Sequence, residues 1–175
     1  MATPTTLPNS FTTGQILTAA QMNNLRGAFR VLQVVTAQKT DTFTTASSTM
    51  VDVTGVSLSI TPSSVDSKIL VGVFGQCGQS SATNVVRLNL VRGSTAIAQS
   101  TGGGSANQTM AFYHAAATIG MPFAMQFLDS PATTSATTYK LQAASPDAVN
   151  IYIGRFSING NFPTVTNIVA MEISA

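Results

Sequence analysis

Val51-Asp52-Val53-Thr54 and, one glycine later, Val56-Ser57-Leu58-Ser59-Ile60 alternate apolar with polar residues. Successive side chains of a strand point to opposite faces, so a period of two is the pattern of a half-buried strand. The breaker Thr61-Pro62-Ser63-Ser64 follows. The chain then resumes as Lys68-Ile69-Leu70-Val71-Gly72-Val73-Phe74, which is almost wholly apolar and is expected to be buried more deeply. Working outward, Val31-Leu32-Gln33-Val34-Val35 reads as a strand before this pair. After it, Val86-Arg87-Leu88-Asn89-Leu90-Val91-Arg92 alternates strictly into Gly93-Ser94, and Thr95 to Gln99 reads as the returning arm of a hairpin. Thr101-Gly102-Gly103-Gly104-Ser105 is expected to be a loop. Met110 to Phe127 is predicted to form two strands around Gly120-Met121-Pro122, because Pro122 would break a long helix. Asp129-Ser130-Pro131 and Asn159-Gly160 read as turns. Residues 137–142, 150–158 and 167–173 read as strands. Short strands separated by turns every ten or so residues predict a mainly β protein, an antiparallel β-sandwich of jelly-roll type.

Only one segment shows the helical period. Leu17-Thr18-Ala19-Ala20-Gln21-Met22 has capping-box spacing at Thr18 and Gln21, and Leu17 with Met22 are placed as a hydrophobic staple. Met22, Leu25 and Phe29 continue one apolar stripe, and Gly27 weakens the last turn. A short helix from about residue 19 to 28 is predicted. Ahead of it, Pro4, Pro8 and Gly14 read as an extended arm held by Leu7, Phe11 and Leu17. The expected organisation is therefore an arm and helix over residues 1–30 and a β-sandwich over residues 31–175. The stripe has two readings: it packs on its own sandwich, or it docks against a neighbouring chain.

Composition narrows the function. The 175 residues are 44% hydrophobic but only 8% charged, against roughly 25% in typical soluble domains. Eight Lys+Arg against six Asp+Glu leave a net charge of +2, too little and too dispersed for a nucleic-acid track. No apolar run approaches the ~20 residues that span a bilayer. A mean hydropathy of +0.26 argues against disorder. The opening residues Met1 to Pro8 lack the charged and apolar regions of a signal peptide, so synthesis in a cytoplasm is expected.

Catalytic and metal chemistry finds little support in the residues. Cys77 is the only cysteine and His114 the only histidine, so both are expected to be structural. No Gly-x-Ser-x-Gly elbow marks a nucleophile. The acids Asp41, Asp52, Asp66, Asp129, Asp147 and Glu172 are scattered singly. Asp52, Asp129 and Asp147 sit at expected strand ends or turns, where Asp ordinarily bonds local backbone amides. Gly102-Gly103-Gly104 lacks the Gly-Lys-Ser/Thr of a phosphate loop, and no Asp-rich loop marks calcium. No cofactor, metal or enzymatic activity is expected.

The arm Phe11-x-x-Gly14-x-x-Leu17-Thr18-Ala19-x-x-Met22-Asn23-x-Leu25 resembles a recurring N-terminal segment of tailed-bacteriophage virion proteins, found ahead of minor tail, tail-fibre and related appendage domains. Lys39-Thr40-Asp41-Thr42-Phe43, Asp52-Val53-Thr54-Gly55, Ser67-Lys68-Ile69-Leu70-Val71 and Leu128-Asp129-Ser130-Pro131 are similar to the β domains attached to such arms. So is the closing Ala170-Met171-Glu172-Ile173. The resemblance implies a β-sandwich without enzymatic activity, located in the virion, assembled as a homotrimer and anchored to other virion proteins by its N-terminus. A host cell-surface receptor is the further partner it implies. The anchoring residues would be Phe11, Leu17, Thr18, Met22, Asn23, Leu25 and Phe29. Receptor-binding fibres of this kind often carry repeats or a shaft, and this chain has neither. A capsid decoration protein using the same module is therefore the alternative.

Overall fold

The computed structural model describes residues 13, 14, 16, 30–102, 107–117, 119–156 and 162–174. Among them are eleven strands and no helix. The helix expected over residues 19–28 lies outside the described residues, as does the turn at Asn159-Gly160. In chain order the strands are β1 (Val31–Lys39), β2 (Phe43–Thr45), β3 (Val51–Ile60), β4 (Lys68–Gln79), β5 (Asn84–Arg92) and β6 (Thr95–Ile97). They continue with β7 (Met110–His114), β8 (Met121–Asp129), β9 (Thr137–Ala144), β10 (Ile151–Ile153) and β11 (Thr166–Ile173). All pairings are antiparallel and fall into two sheets.

Several short strands are pieces of longer ones. β11 pairs with β4 from Lys68 to Phe74, and β10 continues along the same edge from Cys77 to Gln79. On the far side β1 pairs with β11, and β2 with β10. The first sheet is thus four lanes wide, running β8, β4, β11 with β10, then β1 with β2. In the second sheet β3, β9 and β5 are whole, while β6 and β7 share the outer edge of β5. The strand expected over residues 150–158 is therefore cut at Ile153. Gly154 sits at φ +84°, where a side chain is strained, and an added Cβ would lie 3.1 Å from the Asp41 carbonyl oxygen. Beyond it Arg155 bridges to Pro163, and the Thr164 amide donates to the Gly154 carbonyl at 2.7 Å.

The glycine at position 55 has a different task. Val51 and Val53 are odd-numbered, whereas Val56, Leu58 and Ile60 are even-numbered, so the apolar phase changes at Gly55. A regular strand would put one set in solvent. Instead β3 advances from Asp52 to Ser57 while β9 moves only from Gln142 to Lys140, and Gly55 takes φ +87°. This bulge turns both Val53 and Val56 inward, at 2% and 0% exposure.

The two sheets face each other across one core. Ile69, Val71, Val73, Phe123, Ile168 and Ala170 of the first sheet meet Val56, Leu58, Leu88, Leu90, Tyr139 and Leu141 of the second. Cys77 is in this core; burial pushes its thiol up to about 12, so it packs as a hydrophobe. His114 is also fully buried, as a structural histidine would be. Burial lowers its pKa, partly offset by backbone groups of Cys77 and Phe112.

Candidate functional site

The seven anchoring residues expected from the sequence (Phe11, Leu17, Thr18, Met22, Asn23, Leu25 and Phe29) all lie outside the described residues. The chain enters the β domain at Arg30. Its amide donates to Ser174 Oγ at 3.1 Å, and its carbonyl accepts from the Ser174 amide at 3.0 Å. The segment that precedes β1 is thereby tied to the end of β11, at one edge of the first sheet.

That sheet has an unusual outer face. Directly opposed residues on neighbouring strands share a face, and the register places Val34, Met171, Leu70 and Leu128 in one row across all four lanes. Val34 is 53% and Leu128 51% exposed. A neighbouring row carries Thr36, Val169, Gly72 and Gln126. Phe74, 41% exposed, folds its ring over Gly72, where an added Cβ would come within 2.8 Å of it. Across β8, β4, β11 and β1, the described residues put one charged side chain on this face, Lys68 at its end. The signal was present in the sequence. Ile69-Leu70-Val71 and Ile168-Val169-Ala170-Met171 are apolar at consecutive positions, which marks strands covered on both faces.

Asp52 and Asp129 lie at strand ends and Asp147 in a turn, as expected, but the partners are not the local backbone amides expected of them. Asp129 is on β8, buried, and accepts from Arg92 Nη1 at 2.8 and 2.9 Å and from the Tyr139 hydroxyl at 2.6 Å. Asp52 accepts from Lys140 Nζ and Gln142 Nε2, both at 2.7 Å across the β3–β9 ladder. Asp147 accepts at 3.3 Å from the amide of Val85, far away in sequence. Asp52 and Asp129 are each the register partner of a residue on the neighbouring strand, and their carboxylates are taken by side chains that the sheets bring beside them.

Glu172 is fully buried. Burial alone would raise its pKa, but the Ser63 hydroxyl at 2.6 Å, Gln33 Nε2 at 2.6 Å and the Ser63 amide at 2.7 Å outweigh it and hold the carboxyl down at about 2. It fastens the loop after β3 to the first sheet. Among the described residues no group of three His, Cys, Asp or Glu side chains comes together as a metal site would require.

No protein-family model matches the chain, and no curated protein matches it at a significant level. Among solved structures, the T=1 particle derived from infectious bursal virus aligns with 82% of this chain and 36% of its own, at 12% identity and a TM-score of 0.43. The Gx strain of infectious bursal disease virus aligns with 84% of this chain and 37% of its own, at 16% identity and a TM-score of 0.33. The VP2 subviral particle of the same virus gives 82%, 38%, 14% and 0.30. The chain thus spans little more than a third of those proteins, and their activities are not carried over to it.

Proposed function

We propose that the chain is a structural component of a bacteriophage virion, a tail or tail-fibre protein of the minor-tail type with a host-adhesion role. In this reading copies of the chain meet as a homotrimer through the outer face of the first sheet. The N-terminal arm holds them on other virion proteins, and the β domain faces the host surface. The observation that carries it is the apolar row Val34, Met171, Leu70 and Leu128 on a sheet face almost free of charge, whose edge adjoins the end of the arm. Such a face can be covered by neighbouring copies with only Lys68, at its end, to keep in solvent; the three-fold arrangement is taken from the resemblance. The lane order supports a jelly-roll form, since two four-lane antiparallel sheets closed over one core are its layout. The phage attribution rests on the resemblance of the arm and of the segments after it. No chemical step is assigned to any side chain.

A second reading, a capsid decoration protein built on the same arm and β domain, would use the same apolar face. Counting copies per particle by quantitative mass spectrometry separates the two, because decoration proteins follow the symmetry of the shell. Self-assembly is tested by light scattering on the purified chain, which should give about three times 18.1 kDa. A monomer at micromolar concentration overturns the homotrimer.

A further inference from the structure

The Gly93-Ser94 turn and the loop from Ser130 to Ala136 border an open cavity of about 330 Å³, at the lower end of the volumes of small-ligand sites. Arg92 lines it, and the structure shows how that side chain is held. Among the described residues, the hydrogen bonds of its guanidinium all use Nη1, to both Asp129 oxygens and to the Ser130 carbonyl. The Tyr139 hydroxyl braces the same carboxylate. The Nε and Nη2 edge, the side-on fork that receives a carboxylate in two parallel bonds, is left for an incoming acceptor. Lys68 Nζ reaches Ser130 Oγ at 2.8 Å, so this corner sets two cations against one carboxylate.

The remaining walls can meet a polyol. Thr133, Thr137 and Thr138 contribute to the lining; the Thr137 hydroxyl is spent on the Ser135 carbonyl at 3.2 Å, while Thr138 is exposed. Pro131 and Ala136 add apolar surface of the kind that faces a sugar ring. Ala132, inside the same loop, is held at φ +52° without being glycine. Such strain persists only where surrounding structure imposes it.

We propose that this cavity binds a carboxylate-bearing sugar, its carboxylate forked by Arg92 and its hydroxyls met by the exposed Thr138 and by Thr133, whose Oγ1 accepts from the Ser135 amide and keeps its own proton to donate. The proposal does not depend on the virion reading, since it concerns only the walls of this cavity. The test is a 1H–15N NMR titration of the full chain with D-glucuronate, with D-glucose and acetate as separate probes. Glucuronate at millimolar concentration should give saturable shifts at the Gly93, Thr133 and Thr138 amides. Glucose and acetate should each bind about tenfold more weakly or worse, as loss of a charge-assisted bond or of the ring contacts implies. Arg92→Lys, which keeps a cation beside Asp129, should weaken glucuronate about tenfold. Ala136→Phe, at an exposed position, should fill the cavity and abolish the shifts with unchanged melting. The proposal is overturned if glucuronate gives no saturable shift, if acetate or glucose binds equally well, or if the shifts survive Ala136→Phe.

Discussion

Glu172 and Asp129 show how a protein with so few charges uses those it has. The Glu172 carboxyl is held at about 2 against an ordinary value of 4.5, so the folded state favours its ionised form. Its contribution to stability is complete above about pH 4.5 and is lost as the pH falls through 2. The melting temperature should therefore drop across that window, and Glu172→Gln should flatten the drop while melting lower at neutral pH. If the Glu172→Gln protein kept the parent's acid profile, the Ser63 and Gln33 bonds would contribute nothing. Tyr139 is a cleaner probe, because its hydroxyl meets a single partner at 2.6 Å in a buried setting. Tyr139→Phe removes one hydrogen bond to a charged group and should cost about 1.5–3 kcal/mol in chemical denaturation. Sequence reading assigned neither carboxylate its partner. Arg92, Asp129 and Tyr139 are on three different strands, and nothing local in the chain links them.

At the scale of elements, the alternation of side chains located most strands because burial on one face is a local pattern. β2 escaped notice because three residues are too few to show a period. The strand expected over 150–158 was cut short because Gly154 is chosen by what lies beside it, the carbonyls of Asp41 and Thr164, rather than by its sequence neighbours. Gly154→Ala forces a Cβ into a left-handed backbone beside those carbonyls. It should destabilise the domain by about 1–2 kcal/mol, read as a lower denaturant midpoint with an unchanged slope. A neutral result would mean that the Arg155–Pro163 bridge can form without that conformation. The helix expected over residues 19–28 belongs to the same scale. A helix of ten or so residues is marginal alone in water, so its stripe needs a surface to pack on. Met22→Asp with Leu25→Asp should leave the melting of the β domain unchanged and reduce incorporation into particles, because buried unpaired carboxylates cost several kcal/mol.

For the whole molecule, the deciding feature is what covers the outer face of the first sheet. If copies of the chain cover it, Met171→Asp places a carboxylate in the centre of the apolar row and should convert the trimer to a folded monomer in light scattering. A trimer that survives this change would move the interface elsewhere. Removing residues 1–30 separates attachment from folding. The shortened chain should melt cooperatively as a β domain and fail to enter particles. Aggregation of the shortened chain would instead make the arm a cover for its own domain.

The sequence by itself determined that the described part of the chain is all-β and where most of its strands run. Those features follow from burial patterns that repeat every second residue and are legible over five or six positions. The continuity of strands across the breaks at Thr40 and Gly154, the partners of Asp129 and Glu172, the row of Val34, Met171, Leu70 and Leu128, and the cavity beside Arg92 were decided only by the tertiary structure. Each depends on register between strands distant in the chain, and register is set by the joint packing of both sheets, which no single segment encodes.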